Sequence, residues 1–288
     1  MLLIPILTIE TQSKLNYYKV MRTMIIKKRK RLKNRFKSFG LILLVIAAIM
    51  AGLPACGVLK GPDSNQTKAI ANDETIFYIT RHGETEANVQ GLLVGSGGDS
   101  KLTDKGQKEA EALGKGLHGI TFYKCYTSGM GRTQRTARII LDQSGSKKLP
   151  IEIDQGLNDL NWGSLEGKSV AEAAAGRTDF KIEDIIGDGS DPNFTSESGS
   201  ETRYACTKRI TDTMDQLAKE QDNKGKRILI TAHSSMAWFI GSVTGKASKY
   251  ASIDNASLSV LIYKNQKWKV VDFNDTDYST MRKRLSKY

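Results

Sequence analysis

The sequence predicts an α/β domain: a three-layer αβα sandwich with a mostly parallel central sheet and a single catalytic domain. Short apolar runs typical of buried strands alternate along the chain with segments of helical spacing. Two of these runs, Ile76–Ile79 and Ile228–Ile230, are followed closely by His82 and His233. Open α/β sheets place ligand sites where strands end. Two histidines in that position suggest nucleophilic chemistry on a phosphate.

The first half of the domain begins with a strand over 74–80, which precedes the His82 turn and a Gly-rich loop at 91–99. Thr103 is a typical N-cap, and Ala110, Leu113 and Leu117 follow it at helical spacing. We then expect a strand over 122–126, a helix from near Gly131 and a short strand over 151–153.

The second half repeats the alternation. The pattern predicts a helix over 203–220, a strand over 227–232 that ends at His233, and a helix carrying Met236, Phe239, Ile240 and Val243 on one face. A final hairpin pairs 260–262 with 268–271 and turns at Asn265-Gln266.

The basic charge of the chain lies almost entirely at its N-terminus. The formal net charge is +12, from 43 Lys and Arg against 31 Asp and Glu. Residues 1–55 hold eleven basic residues and one acidic residue, which leaves 32 basic and 30 acidic residues in the remainder. A nearly neutral body carries no general attraction for polyanions. We therefore expect no nucleic-acid partner.

The N-terminal segment has the order of a secretory signal. Basic residues over 27–37 precede an apolar run over 39–53 of about 15 residues, shorter than the ~20 needed to span a bilayer. Leu53, Ala55 and Cys56 resemble the lipobox of bacterial lipoproteins, although Pro54 departs from it. That resemblance implies lipid attachment at Cys56, while a cleaved soluble form and an uncleaved signal anchor remain alternatives.

We therefore divide the chain into a signal or leader segment (1–55), a lipid-anchored tether (56–73) and a catalytic domain (74–288). The tether is rich in Gly, Pro, Asp, Asn and Ser. The expected location is the extracytoplasmic face of the cell membrane, with a soluble secreted form as the alternative. The sequence leaves the translation start open among Met1, Met21 and Met24, and it leaves the oligomeric state open.

One stretch carries the most specific motif. Arg81-His82-Gly83-Glu84-Thr85, with Asn88, resembles the signature of the histidine phosphatase superfamily, in its phosphoglycerate mutase-like branch. The resemblance covers roughly residues 74–245, and further segments match in order: Leu102-Thr103 with Gly106, Ser128 with Arg132 and Thr136-Ala137, the loop 157–167, Gly199–Thr202, and Thr231–His233.

The resemblance implies a role for each residue of the pocket. His82 attacks phosphorus and forms a phosphohistidine, which divides one displacement into two easier ones. A backbone carbonyl, such as that of Gly83, fixes the imidazole tautomer. Arg81 and Arg132 hold the phosphoryl oxygens with bidentate hydrogen bonds. His233 completes the pocket as a cation when phosphate is bound.

The resemblance also assigns the proton donor. Asp159 aligns with the family's acid, which is Glu in many members; Glu166 and Glu84 are the fallbacks. Asn88 is expected to donate to the phosphate. Ser234 stands where the family usually has Gly, so the turn after His233 could be altered, or Ser234 could cap the next helix.

No cofactor and no metal are expected, because the arginines supply the positive charge that a metal ion supplies elsewhere. Cys125 and Cys206 are expected to be free buried thiols rather than a disulfide. The glycines at 95, 97 and 98 could cradle phosphate or simply form a loop, and Trp162 could contact substrate or fill the core. These alternatives remain open at the level of sequence.

The leading function is an exported, membrane-anchored phosphomonoesterase that acts on a small phosphorylated substrate through His82. One alternative is a cofactor-dependent phosphoglycerate mutase-type phosphotransferase, which shares the His82 chemistry. The other is a non-catalytic phosphate-ligand binding protein. The loops at 90–100 and 176–200 are expected to set the specificity.

Overall fold

A computed structural model describes residues 69–176, 178–250 and 252–288 of the chain. The predicted leader, the start of the tether and Cys56 lie outside these residues. Within the described ranges, every helix is too short or too polar to cross a membrane.

A six-stranded sheet forms the centre of the domain. Its order is β3-β2-β4-β1-β5-β6, and all its neighbouring pairs are parallel except those that involve β5. The mostly parallel sheet is therefore confirmed. The strands are β1 (Glu74–Arg81), β2 (Lys124–Thr127), β3 (Ile151–Ile153), β4 (Arg227–Ala232), β5 (Leu258–Lys264) and β6 (Lys267–Asp275).

Long and short helices connect the strands of the described ranges. They are α1 (Glu86–Gln90), α2 (Asp104–Gly116), α3 (Gly131–Ser144), α4 (Val170–Ala174), α5 (Glu183–Ile186), α6 (Arg203–Lys219), α7 (Met236–Thr244) and α8 (Tyr278–Leu285). The predicted long helices are confirmed, and Thr103 caps α2 through a bond from the Gly106 N–H. The sequence pattern did not predict α1, α4, α5 and α8, most of which are too short to show a helical period.

Buried residues lie on both faces of the sheet, which gives the predicted three layers. Successive side chains of a strand point to opposite faces. In β1, Phe77 and Ile79 pack with α6 and α7, whereas Ile76 and Tyr78 pack with α2, α3 and α8. Each face therefore has its own apolar core.

The sheet register determines where the site lies. β1 and β4 are parallel neighbours, and Arg81 pairs with Ala232 at their carboxyl ends. His82 and His233 each follow directly, so the two histidines leave the sheet side by side. At the far side, β5 and β6 form the predicted hairpin, and its turn residues Asn265 and Gln266 both have positive φ.

Candidate active site

His82 and His233 share one buried site at the carboxyl edge of the sheet. Their ring centroids are 5.4 Å apart. His82 is 4 % exposed and His233 is fully buried. The structure thus brings together the two histidines that the sequence singled out.

The tautomer of His82 follows from one hydrogen bond. Its Nδ1 lies 2.8 Å from the carbonyl oxygen of Gly83. A carbonyl only accepts, so Nδ1 carries the hydrogen and Nε2 of the neutral ring keeps its lone pair. Burial, reinforced by the neighbouring His233 and by the charges of Arg81 and Arg132, lowers the pKa of His82 well below its usual range. His82 is therefore a neutral imidazole with Nε2 as its nucleophilic atom.

Two glycines explain how the His82 turn is held. A Cβ on Gly83 would lie well inside contact distance of the Gly106 carbonyl, and a Cβ on Gly106 would overlap the backbone of Glu84. The first turn of α2 therefore packs backbone to backbone against the turn. The Gly83 N–H also donates to Thr136 Oγ1 on α3, at 3.1 Å.

His233 is held between a serine and two charged groups. Its Nε2 lies 2.8 Å from Ser128 Oγ, and its Nδ1 lies 3.4 Å from an Arg132 nitrogen and 3.6 Å from Asp159 Oδ2. Arg132 can only donate, so Nδ1 accepts and Nε2 donates to Ser128. Burial and the neighbouring arginines, Arg132 first, lower the pKa of His233 well below its usual range. The ring is therefore neutral in this state, and its cationic form with bound phosphate stays a prediction.

Arg132 lies in the first turn of α3 and is 3 % exposed. Its guanidinium donates to the carbonyls of Gly98 (3.1 Å) and Gly95 (3.0 Å) and to the carboxylate of Asp99 (3.0 Å). The Gly-rich loop therefore surrounds Arg132 with acceptors. This arrangement fixes the position of the guanidinium beside the histidines.

The N–H groups of Gly95 and Gly97 in the Gly-rich loop are taken up by Glu166 and do not form a phosphate cradle. The Gly95 and Gly97 N–H groups each donate to the Glu166 carboxylate at 2.9 Å, and the Trp162 N–H does so at 3.1 Å. Glu166 is thus an anchor between two loops. Its side chain is taken up by three backbone donors and does not line the cavity over His82, which makes it a poor candidate for the acid.

Glu84, the other alternative for the acid, is hydrogen-bonded to residues outside the pair of histidines. Its carboxylate accepts from Thr103 Oγ1 at 2.9 Å and pairs with Lys105. The hydrogen bond from Lys105, first, and that from Thr103 lower its pKa below its usual range. Glu84 is also absent from the lining of the cavity beside His82.

Arg81, the last residue of β1, carries a donor suited to an anion. One terminal nitrogen donates to the Ile253 carbonyl at 3.1 Å. Its Nε is buried and has no hydrogen-bond partner within the described part of the chain. Buried donors are nearly always satisfied, so this unpaired one is a candidate partner for a ligand oxygen.

Asp159 reaches the site from the loop after β3. Its side chain is 15 % exposed, and its Oδ2 lies 3.6 Å from His233 Nδ1 and 3.9 Å from an Arg132 nitrogen. Its Oδ1 accepts from Ser235 Oγ at 2.9 Å. Of the three carboxylates considered from the sequence, only Asp159 lines the cavity beside His82.

Arg209 on α6 supports the Asp159 loop, and sequence reasoning missed it. It donates to the backbone carbonyls of Gly156 (3.0 Å) and Asn158 (2.9 Å) and pairs with Glu201 at 2.7 Å. The motif segment at 199–202 therefore supplies the Glu201 carboxylate, which pairs with Arg209, and Arg209 holds the loop of Asp159. The available sequence signal for this ion pair was the spacing of Glu201 and Arg209, which are 8 residues or about two helical turns apart.

Ser234 neither strains the turn after His233 nor caps the next helix. It is not among the residues with positive φ, so the turn does not require glycine here. The N-cap of α7 is Ser235, and that residue makes no side-chain capping bond. The expectation that Ser234 caps the helix is wrong, because the helix begins one residue later.

A cavity of about 130 Å³ lies over His82. Asn88 lines it; its Oδ1 accepts from the Thr85 N–H at 3.1 Å in a capping box, while its Nδ2 has no bond within the described residues. Trp162 packs against the core and also lines the cavity, and its contact with substrate stays a prediction. The remaining lining residues are Arg81, Thr85, Ala87, Leu92, Leu93, Val94, Ser100, Arg132, Asp159 and Ser234.

Cys125 and Cys206 are free and buried, as predicted, and burial raises the pKa of the Cys125 thiol to about 12. In the described ranges, His, Cys, Asp and Glu side chains form no group of three that could hold a metal ion.

The sequence matches the histidine phosphatase superfamily (branch 1) over residues 77–276. A 2,3-bisphosphoglycerate-dependent phosphoglycerate mutase of Methylobacterium sp. is 32 % identical over 166 residues, which cover 56 % of this chain and 76 % of that protein. A broad-specificity phosphatase of Saccharomyces cerevisiae is 30 % identical over 160 residues, covering 54 % of this chain and 64 % of that protein.

The fold is similar to solved structures. A phosphoglycerate mutase from Bacillus anthracis is 28 % identical, with a TM-score of 0.63 over 74 % of this chain and 99 % of its own. A mycobacterial glucosyl-3-phosphoglycerate phosphatase shares the fold at 20 % identity, with a TM-score of 0.57 over 69 % of this chain and 98 % of its own. The family match spans well over half of the chain and includes every site residue described above; the chain belongs to the histidine phosphatase superfamily.

Proposed function

We propose that the protein is a phosphomonoesterase that works through a phosphohistidine on His82. The observation that carries this proposal is a buried neutral imidazole beside the unpaired Arg81 Nε donor. Arg132 adds a second guanidinium, and His233 becomes a further cation when phosphate is bound. Phosphoryl transfer depends mainly on positioning and charge stabilisation, which this site provides.

The residues divide the reaction into two steps. His82 Nε2 forms a bond to phosphorus while the ester P–O bond breaks, and Asp159 gives its proton to the leaving alcohol oxygen. Water then attacks the phosphohistidine; Asp159 takes a proton from that water, the N–P bond breaks and phosphate leaves. Arg81 and Arg132 hold the phosphoryl oxygens in both steps, so we propose that no metal ion is needed.

Hydrolysis is favoured over mutase chemistry by where the cations lie. A phosphoglycerate carries a carboxylate as well as its phosphate, and a mutase must bind both. The two cationic side chains among the described residues that line the cavity over His82 are Arg81 and Arg132, and the transferred phosphate needs both. The rest of that lining is uncharged except for Asp159, and the cations of the neighbouring cavity, Lys101 and Arg135, do not belong to it. This lining suits a small phosphorylated substrate with a neutral leaving group.

The direct test is hydrolysis of p-nitrophenyl phosphate by the purified full-length protein with a chelator present, beside His82→Ala. We expect turnover with the chelator and its loss in the variant. Turnover that survives His82→Ala would overturn the assignment. Tight phosphate binding by a folded protein without turnover would instead support the non-catalytic binding protein.

We further propose that the protein is exported and anchored through a lipid on Cys56. The order of basic segment, apolar run and Cys56 in the sequence supports this. Metabolic labelling with a radioactive fatty acid, beside Cys56→Ser, tests it. Labelling that is lost in the variant is expected; an unlabelled protein in the culture medium would support the soluble secreted form.

A further inference from the structure

Ser235 stands at the N-cap of α7 but does not cap it. A serine at this position ordinarily accepts a hydrogen bond from a backbone N–H in the first turn of its helix. Ser235 makes no such bond, and its φ of −59° and ψ of −18° are already helical. Its hydroxyl donates instead to Asp159 Oδ1, at 2.9 Å. Helix α7 therefore has no side-chain cap from Ser235, and the Ser235 hydroxyl is hydrogen-bonded to Asp159 instead.

This bond gives the two oxygens of Asp159 different surroundings. Oδ1 is bound to Ser235, whereas Oδ2 lies 3.6 Å from His233 Nδ1 and 3.9 Å from Arg132. The last torsion of an aspartate is broad, so a carboxyl without a fixed partner rotates easily. The Ser235 hydroxyl restricts that rotation and keeps Oδ2 on the side of the phosphate site.

The backbone of the acid is held separately. Arg209 donates to the Asn158 carbonyl at 2.9 Å and approaches the Asp159 carbonyl at 3.4 Å. The loop is thus fixed from α6 and the side chain from the start of α7. Asp is one methylene shorter than the Glu in many relatives, so a small misplacement would take its proton out of reach of the leaving oxygen.

We propose that Ser235 is a positioning residue, which orients Asp159 so that Oδ2 delivers the proton to the leaving oxygen. The inference rests on the proposed function of the site. Ser235 is 1 % exposed and does not line the cavity, so it acts through Asp159 and not on the substrate.

The leaving group provides a specific readout. An alkoxide is a strong base and needs the proton as the ester bond breaks, whereas p-nitrophenolate leaves without it. Loss of orientation at Asp159 should therefore slow the transfer of the phosphoryl group from alkyl phosphates to His82 and spare its transfer from p-nitrophenyl phosphate. A purely structural defect would slow both substrates to the same extent.

The experiment measures kcat/KM of the full-length protein with glycerol 3-phosphate and with p-nitrophenyl phosphate. This ratio reports the phosphoryl transfer to His82 and is unaffected by the later hydrolysis of the phosphohistidine, which both substrates share. We expect Ser235→Ala to lower kcat/KM for glycerol 3-phosphate about tenfold, a fraction of the ~10²–10⁴ that general acid catalysis supplies. Its kcat/KM for p-nitrophenyl phosphate should change less than about threefold. Ser235→Thr, which retains a hydroxyl, should restore most of the lost rate.

Ser144→Ala is the matched control, because Ser144 is a buried serine at the opposite end of α3 that donates only to the Leu141 carbonyl. Ser144→Ala should leave kcat/KM for both substrates unchanged. If Ser235→Ala does not fold, Ser235→Cys carries the same prediction, since a thiol keeps the volume and is a weak donor.

Equal losses for the two substrates, or no loss, in Ser235→Ala would overturn the inference. Asp159→Asn distinguishes a failure of the role of Ser235 from a failure of the proposed function. If it loses glycerol 3-phosphate hydrolysis selectively while Ser235→Ala does not, the proposed function stands and the role of Ser235 is wrong. If the wild-type protein hydrolyses neither substrate, the proposed function fails, and this inference fails with it.

Discussion

The Arg132 guanidinium donates to the Asp99 carboxylate at 3.0 Å, and this pair joins the Gly-rich loop to the first turn of α3. Asp99 also accepts from the Gly131 N–H at 2.7 Å, so it caps a helix whose N-cap residue, Met130, offers no side-chain cap. One carboxylate thereby fixes both Arg132 and the helix that carries it.

Asp99→Asn should therefore weaken catalysis more than stability. The amide can still cap α3, but it no longer holds the charge of Arg132. We expect kcat/KM for p-nitrophenyl phosphate to fall about tenfold, because loss of a positioned donor typically costs ~10²–10³ and the arginine here is retained. Steady-state kinetics with a thermal melt test this; an unchanged kcat/KM would contradict the role of the pair.

Glu166→Ala should destabilise the domain. The substitution leaves three backbone donors, on Gly95, Gly97 and Trp162, without their shared acceptor. Each buried unpaired donor costs ~1–3 kcal/mol, and partial access to water reduces the total. We expect the free energy of unfolding in urea to fall by about 2 kcal/mol or more. Glu86→Ala is the control, since Glu86 is an exposed glutamate on α1. A loss no larger than that of the control would show that the anchor is unimportant.

Gly83→Ala should displace the nucleophile. The added methyl group would overlap the Gly106 carbonyl, which belongs to a backbone with little freedom to move. We expect activity to fall by more than about a hundredfold, because small misplacements of reacting groups have effects of that size. Circular dichroism must show a folded chain. Near-normal activity in a folded Gly83→Ala would mean that the close approach of the two turns is not required.

The two buried histidines predict how stability depends on pH. Both have a pKa well below the usual range, whereas the imidazoles of the unfolded chain take up protons near pH 6.5. Below that pH the unfolded state binds more protons than the folded state. The free energy of unfolding therefore has its full value above about pH 6.5 and decreases as the pH falls below it. The limit is about 1.4 kcal/mol per pH unit for each histidine.

Urea denaturation near pH 7.5 and pH 5.5 measures this fall. His233→Gln should reduce the fall in the free energy of unfolding. The variant removes one of the two buried imidazoles and leaves His82 and all carboxylates in place. An identical pH dependence in the wild-type protein and the variant would contradict the neutral buried state of His233.

The sequence predicted the parts of the site that follow from strand order. His82 and His233 each follow an apolar run closely, and parallel neighbours bring the ends of such strands together. The Gly83 carbonyl as partner of His82 Nδ1 was also predicted and is confirmed. These relations depend on local pattern and on rules for parallel sheets.

The supporting contacts could not be predicted in the same way. Arg209 is one of many charged residues on an amphipathic helix, and only the path of the 156–159 loop shows what it holds. Glu166 was considered as an acid, yet the folded loops make it an anchor. Loop paths are set by many weak contacts, so single-residue patterns do not specify them.

In the proposed reaction the phosphoryl group passes through His82. Mass spectrometry of the full-length protein, quenched in base within milliseconds of mixing with substrate, tests this step directly, since alkali preserves phosphohistidine. We expect a phosphoryl group on His82 that disappears as substrate is exhausted and is absent from His82→Ala. Phosphorylation of another residue, or undiminished turnover in His82→Ala, would contradict it.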